Sequence, residues 1–149
     1  MKHIKVKDGL CVCSLKSPVE GTVSVPKTTK WLLGESILDV LKRVKLKFIK
    51  DLYQSKINNL MANYNKFELE SFADQRTEWK AWKQDDTIAT PIIDTLAAAR
   101  GIDREVLLDK IGKNVLYIVG LQGEQNSIED AIKACSTEEE LTLLINRSI

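Results

Sequence analysis

The side chains able to ligate a metal or attack a substrate are few in this sequence: Cys11, Cys13, Cys135 and a single histidine, His3. Together they could supply four zinc-type ligands, but Cys11 and Cys13 fall on one short apparent strand. The single residue between them is a tighter gap than the about two to four residues of a zinc knuckle, so no metal site is expected. Three thiols cannot all pair within one chain and lack the spacing of a secreted disulfide framework, so they are expected to be reduced. One imidazole next to a terminus that can fray leaves a histidine-based triad no obvious place to form. Carboxylates are plentiful, but Asp39, Asp51, Glu68, Glu78 and Asp109 sit on predicted helix faces and caps, where solvated roles suffice. The expectation is a chain with no catalytic residue, no cofactor and no metal, acting as something other than an enzyme.

Phosphate chemistry is no better served. The stretch Gly120-Leu121-Gln122-Gly123-Glu124 has neither the lysine nor the hydroxyl residue of a P-loop and follows no strand, so a glycine pair that lets helices pack closely is the preferred reading. The run Lys42-Arg43-Val44-Lys45-Leu46-Lys47-Phe48-Ile49-Lys50 interleaves five positive charges with apolar residues and could meet phosphate backbones or an anionic lipid surface. Asp39 and Asp51 flank it. The favoured reading is the wet face of an amphipathic helix, or pairing with an acidic surface such as Glu138, Glu139 and Glu140. Trp79 and Trp82 are either an interface hot spot or core packing beneath the 85–90 loop.

The elements that must position these residues follow from periodicity. The first 26 residues read as strand and turn: Ile4 and Val6, then Asp8-Gly9, the run 10–15, turns at Ser17-Pro18 and Glu20-Gly21, then Val23 and Val25. So few short strands are marginal alone and must lean on helices or on a partner chain. Ser36 can cap a helix in which Leu41, Val44, Phe48, Leu52, Ile57, Leu60, Met61 and Tyr64 recur at three- and four-residue spacing. Run to Asn63 it would span roughly 40 Å, long enough to want a bundle or coiled-coil partner. A break at Asn63-Tyr64-Asn65 precedes a second helix over 66–83, with Leu69, Phe72, Trp79 and Trp82 on one side.

Thr90 before Pro91 opens a third helix over 91–100 that ends at Gly101. Asp103 can cap a long fourth helix whose buried stripe is Leu107, Leu108, Ile111, Val115, Ile118, Val119, Ile128 and Ile132. Gly112, Gly120 and Gly123 each cost about 1 kcal/mol in a helix relative to alanine, which implies close helix approach or a local break. Ser136 with Glu139 reads as a capping box for a last short helix through Leu144.

The predicted architecture is therefore mainly α with a small N-terminal β-ribbon, an elongated helical hairpin or bundle. A ribbon segment over 1–33 precedes a helical domain over 34–149. A hydrophobic fraction of 44% and a charged fraction of 29% are ordinary for a folded chain. With 22 basic and 21 acidic residues the net charge of +1 gives no field that favours nucleic acid or an anionic membrane. No apolar run approaches the ~20 residues of a bilayer helix, and residues 1–7 lack a signal-peptide core, so no membrane and a cytosolic origin are expected.

Three stretches resemble a known pattern. They are Glu68-Leu69-Glu70-Ser71-Phe72 with Gln75 and Glu78; Thr90-Pro91-Ile92-Ile93-Asp94-Thr95-Leu96-Ala97-Ala98-Ala99-Arg100-Gly101-Ile102; and Gly120 to Gly123 with Ser127-Ile128-Glu129-Asp130-Ala131-Ile132. Over residues 64–144 the chain resembles the small tail-fibre-associated, or tail-fibre assembly, proteins encoded beside tail-fibre genes in tailed phages. The resemblance implies a structural role, assisting, capping or joining a fibre component, in the virion tail or in the host cytoplasm during assembly. It carries over no catalytic residue. Its expected partners are a phage tail or tail-fibre protein and further copies of the chain, met through Val23, Val25, Leu41, Val44, Phe48, Leu52, Trp79 and Trp82. The alternative is a nucleic-acid-binding or regulatory helical protein using the basic helix over 42–50, and a third is an enzyme built from scattered carboxylates.

Overall fold

A computed structural model describes residues 1–148. Among them are three strands and five helices, so the protein is mainly α with a small antiparallel sheet at the N-terminal end of the sequence. Packing divides the chain into two compact units, residues 1–53 with those from 124 onward, and residues 54–123. That division falls inside two helices, whereas the change from strands to helices falls between 25 and 37.

In the first unit, strands β1 (Lys2–Lys7), β2 (Leu10–Leu15) and β3 (Thr22–Val25) form a sheet in the order β2-β1-β3. The β1–β2 hairpin turns on Asp8 and Gly9, with φ of 52° and 77°. A two-residue hairpin of this type needs positive φ at both positions, which glycine accepts freely and aspartate tolerates better than most. Lys5 stands opposite Cys13 and Val6 opposite Cys11, so Val12 is an extra residue and the strand bulges there. The bulge shifts the side-chain alternation by one. Cys11 consequently joins Ile4 and Val6 on the core face, fully buried, while Cys13 lies beside Lys5 and is exposed.

β3 pairs with β1 so that Val23 faces Ile4 and Val25 faces Lys2, which puts both valines on the core face. Ile4, Cys11, Val25, Ile37 and Val40 are the buried centre, with Val6, Val23, Trp31, Leu41 and Val44 packed around it. The ribbon is thus supported by helix α1 (Ile37–Met61). The connection before α1 also closes part of the sheet edge: Gly34 N–H donates to the Cys11 carbonyl and Cys11 N–H to the Glu35 carbonyl, both at 2.8 Å. The Ser36 carbonyl accepts from Val40 N–H at 3.2 Å, as a residue at the helix start should.

The buried residues of α1 form two pairs, Ile37 with Val40 and Ile49 with Tyr53, and the nine residues from Val40 to Ile49 turn the helix by about 180°, so the single expected line through Leu41, Val44, Phe48 and Leu52 is replaced by two faces. The sheet covers the first pair, with Leu41 and Val44 packed beside it, and Phe48 is left exposed. The rest of this unit comes from the end of α4 (Arg104–Ala134) and from α5 (Glu138–Ser148), with Ile132 and Leu141 buried. The expected capping pair at the start of α5 is displaced by one residue. Thr137 Oγ1 accepts from Glu140 N–H at 3.1 Å, and the Glu140 carboxylate accepts from Ser136 N–H at 2.6 Å. Two overlapping Ser/Thr-x-x-Glu patterns occur there, and spacing alone cannot rank them.

The second unit contains the last turns of α1, helix α2 (Lys66–Gln84), helix α3 (Pro91–Arg100) and α4 up to Gly123. Asn65 and Glu68 form a complete capping box at the start of α2, each accepting the other's backbone N–H at 3.0 Å. Gly101 ends α3 with φ of 62°, the left-handed stop that glycine permits. Asp103 accepts from Glu105 N–H at 2.7 Å and so caps α4. The core is Ile93, Ala97, Leu107, Leu108, Ile111 and Val115, with Trp79, Trp82, Leu96 and Ile102 packed on it.

α4 runs unbroken over 31 residues, and its three glycines differ. A Cβ at Gly112 would lie 2.8 Å from the Trp79 ring, a real close approach. At Gly120 and Gly123 nothing lies within 4 Å, so the expected glycine packing pair is instead open surface. Val119 also leaves the expected buried stripe and is 55% exposed. Two steps of four from Ile111 rotate about 80° past it, which carries Val119 off the core.

Candidate functional site

The residues with chemical potential are held apart or engaged in ordinary structural bonds. His3 Nδ1 and Ser24 Oγ lie 2.8 Å apart in a hydrogen bond across the sheet. Cys11 and Cys13 are on opposite faces, and burial pushes the Cys11 thiol up from its usual range. Among the described residues no three His, Cys, Asp or Glu side chains gather closely enough to hold a metal ion.

The carboxylates have structural partners. Asp51 pairs with Lys47 and Asp109 with Lys113, each at 2.6 Å. Glu78 of α2 accepts the N–H groups of Ile92 and Ile93 at 2.9 Å each, capping α3 from a neighbouring helix. The Thr90 side chain makes no cap bond; it is fully buried, donating to Asp94 and accepting from Arg104. A carboxylate at a helix N-terminus satisfies two orphan donors and meets the positive end of the dipole.

Three of the five basic residues of the run on α1 are engaged. Arg43 forms a forked ion pair with Glu35, which also accepts Leu32 N–H at 3.0 Å. That guanidinium and the Leu32 N–H hold the Glu35 carboxyl below its ordinary range. Lys42 donates to the Lys133 carbonyl near the end of α4 at 2.8 Å, and Lys47 is paired with Asp51. The expected pairing with Glu138, Glu139 and Glu140 is not what these bonds use.

The eight contacts singled out in the sequence separate into two classes. Val25 is buried, and Val23, Leu41 and Val44 pack against the first unit's core, so these four stabilise the ribbon on α1. Trp79 and Trp82 are partly buried and pack against the core of the second unit. Leu52 is half-buried, and Phe48, at 48% exposed, is the apolar surface residue of the set.

Other apolar side chains are more exposed, Leu32 and Leu33 before α1 and Phe67 on α2 among them. On α4, Leu116 is 64% exposed, flanked around the helix by Val119 on one side and Tyr117 on the other, each 55% exposed, with the open Gly120 between Leu116 and Tyr117. The second unit also has a groove of about 160 Å³ between the end of α1, α2 and α4. Its floor is Ile111, Val115 and the buried Gln75. Leu60, Met61 and Ile118 line the sides together with Tyr64 and Phe72, whose rings meet edge to face at 4.9 Å. Leu69, Arg76 and Asn114 stand at the exposed rim.

Periodicity marks Leu60, Met61, Tyr64, Leu69 and Phe72 as packing residues, whereas Gln75 enters the sequence reading only through the resemblance and nothing local signals Arg76 or Asn114. No family model matches this chain, and no curated protein and no solved structure matches it either.

Proposed function

We propose that this protein works by docking onto other polypeptides, as a non-enzymatic structural or assembly component of a tailed-phage tail fibre. The observation that carries the docking reading is the outer surface of α4, where Leu116, Tyr117 and Val119 stand in solvent next to Gly120, which has no neighbouring side chain over it. Single exposed apolar residues are common, but three among four consecutive positions of one helix make a surface that an interface can cover. The engagement of Arg43, Lys42 and Lys47 with the chain's own acceptors supports this reading over a phosphate-binding helix. The tail-fibre assignment is supported by the resemblance of the block from Thr90 to Ile102 and of the stretches around it.

The test is the solution mass of the purified protein, alone and mixed with the product of the neighbouring gene. A mass above the monomer in one of these samples, returned to the monomer by Leu116→Asp with the circular-dichroism melt unchanged, is expected. A lone monomer that ignores its neighbour, or an assembly indifferent to Leu116→Asp, overturns the proposal.

A further inference from the structure

The groove of the second unit has the volume of one side chain. A cavity of about 150 Å³ lined by leucine, isoleucine and phenylalanine accepts a benzene ring, and this one measures about 160 Å³ with a similar lining. Cofactors and drug-sized ligands need about 300 Å³ or more. Size therefore excludes a nucleotide and fits an aromatic or leucine-like group.

The polar groups around it narrow the occupant. Arg76 at the rim has no carboxylate partner among the described residues, whereas Lys66 and Lys113 are each paired within their own helix. Gln75 is buried, and its amide N–H donates to Ser71 Oγ at 2.9 Å, while its carbonyl oxygen accepts none of the described hydrogen bonds. An apolar slot beside one acceptor and one unpaired cation is complementary to an apolar side chain flanked by an N–H and a carboxylate. A peptide offers that combination, whereas a fatty acid has no N–H for Gln75.

We infer that this groove captures an apolar side chain of a partner polypeptide that carries a carboxylate beside it. The N–H next to that side chain donates to Gln75, and the carboxylate meets Arg76. The inference rests on the docking reading and names a second place on the protein where a partner is held.

The probes are N-acetyl-phenylalanine and its uncharged amide, titrated into the full chain while backbone amide resonances are followed. The acid is expected to shift Gln75, Arg76 and Val115 and to bind about two- to fivefold more tightly than the amide, the range of a solvent-screened ion pair. Arg76→Gln should erase that difference, and Asn114→Trp, at an exposed rim position, should fill the slot and remove binding. If Asn114→Trp does not fold, Leu69→Trp on the opposite rim serves the same purpose. Equal binding of acid and amide, binding that survives a filled groove, tighter binding of octanoate than of either probe, or no shift at all overturns the inference. Should the probes fail while Leu116→Asp still dissolves the assembly, the groove is wrong and the α4 docking surface stands. Should the probes behave as expected while Leu116→Asp changes nothing, the α4 surface is wrong and the groove stands.

Discussion

Glu35 shows how much one residue can organise without any chemistry of its own. Its carboxylate takes Arg43 from α1 and the Leu32 N–H, and its carbonyl takes the Cys11 N–H, so it ties the β2 edge, the connection and the first helix together. Its folded-state ionisation lies below the unfolded value, so the bond contributes stability above the ordinary carboxylate range and loses it as pH falls through the folded value. Glu35→Gln should therefore melt lower than the parent near pH 7, and the gap should close as pH is brought below about 4. A gap that persists unchanged in acid would mean that the charge is not what matters. Cys11 and Cys13 make the complementary point: one inserted residue, Val12, separates two thiols that a regular strand would have put on one face.

At the scale of elements, α4 carries the clearest contrast. Three glycines look equivalent in sequence, yet only Gly112 has a neighbour, Trp79, in the space a methyl group would take. Gly112→Ala gains about 1 kcal/mol of helix propensity but forces the indole to move, at about 1–3 kcal/mol for an overpacked core. It should be neutral to destabilising in urea titration, while Gly120→Ala should stabilise by up to about 1 kcal/mol. Equal gains from both would show that Trp79 yields at no cost. The start of α3 follows the same logic, since Pro91 announces it in sequence but Glu78, 13 residues upstream in α2, supplies its cap.

For the molecule as a whole, balanced charge and the engagement of Lys42, Arg43 and Lys47 imply that the proposed association should depend little on salt. Raising salt from about 50 to about 200 mM should leave the assembly mass nearly unchanged, whereas a protein with six or more phosphate contacts would lose about a thousandfold in affinity. A steep loss would return the basic helix over 42–50 to first place. No described helix is long and apolar enough to cross a membrane.

The sequence by itself determined the elements: the Asp8-Gly9 hairpin, the helix starting at Pro91 and stopping at Gly101, the Asp103 cap and the long amphipathic helices. These signals are local, because turns, caps and periodicity are set by residues within a few positions of one another. Only tertiary structure decided which face of α1 the sheet would cover, that Val12 would bulge, that Gly112 would sit under Trp79, and that Gln75, Arg76 and Asn114 would meet around one groove. Each of those outcomes depends on residues brought together from distant segments, and a helix period is compatible with more than one buried centre until a neighbouring element occupies one of them.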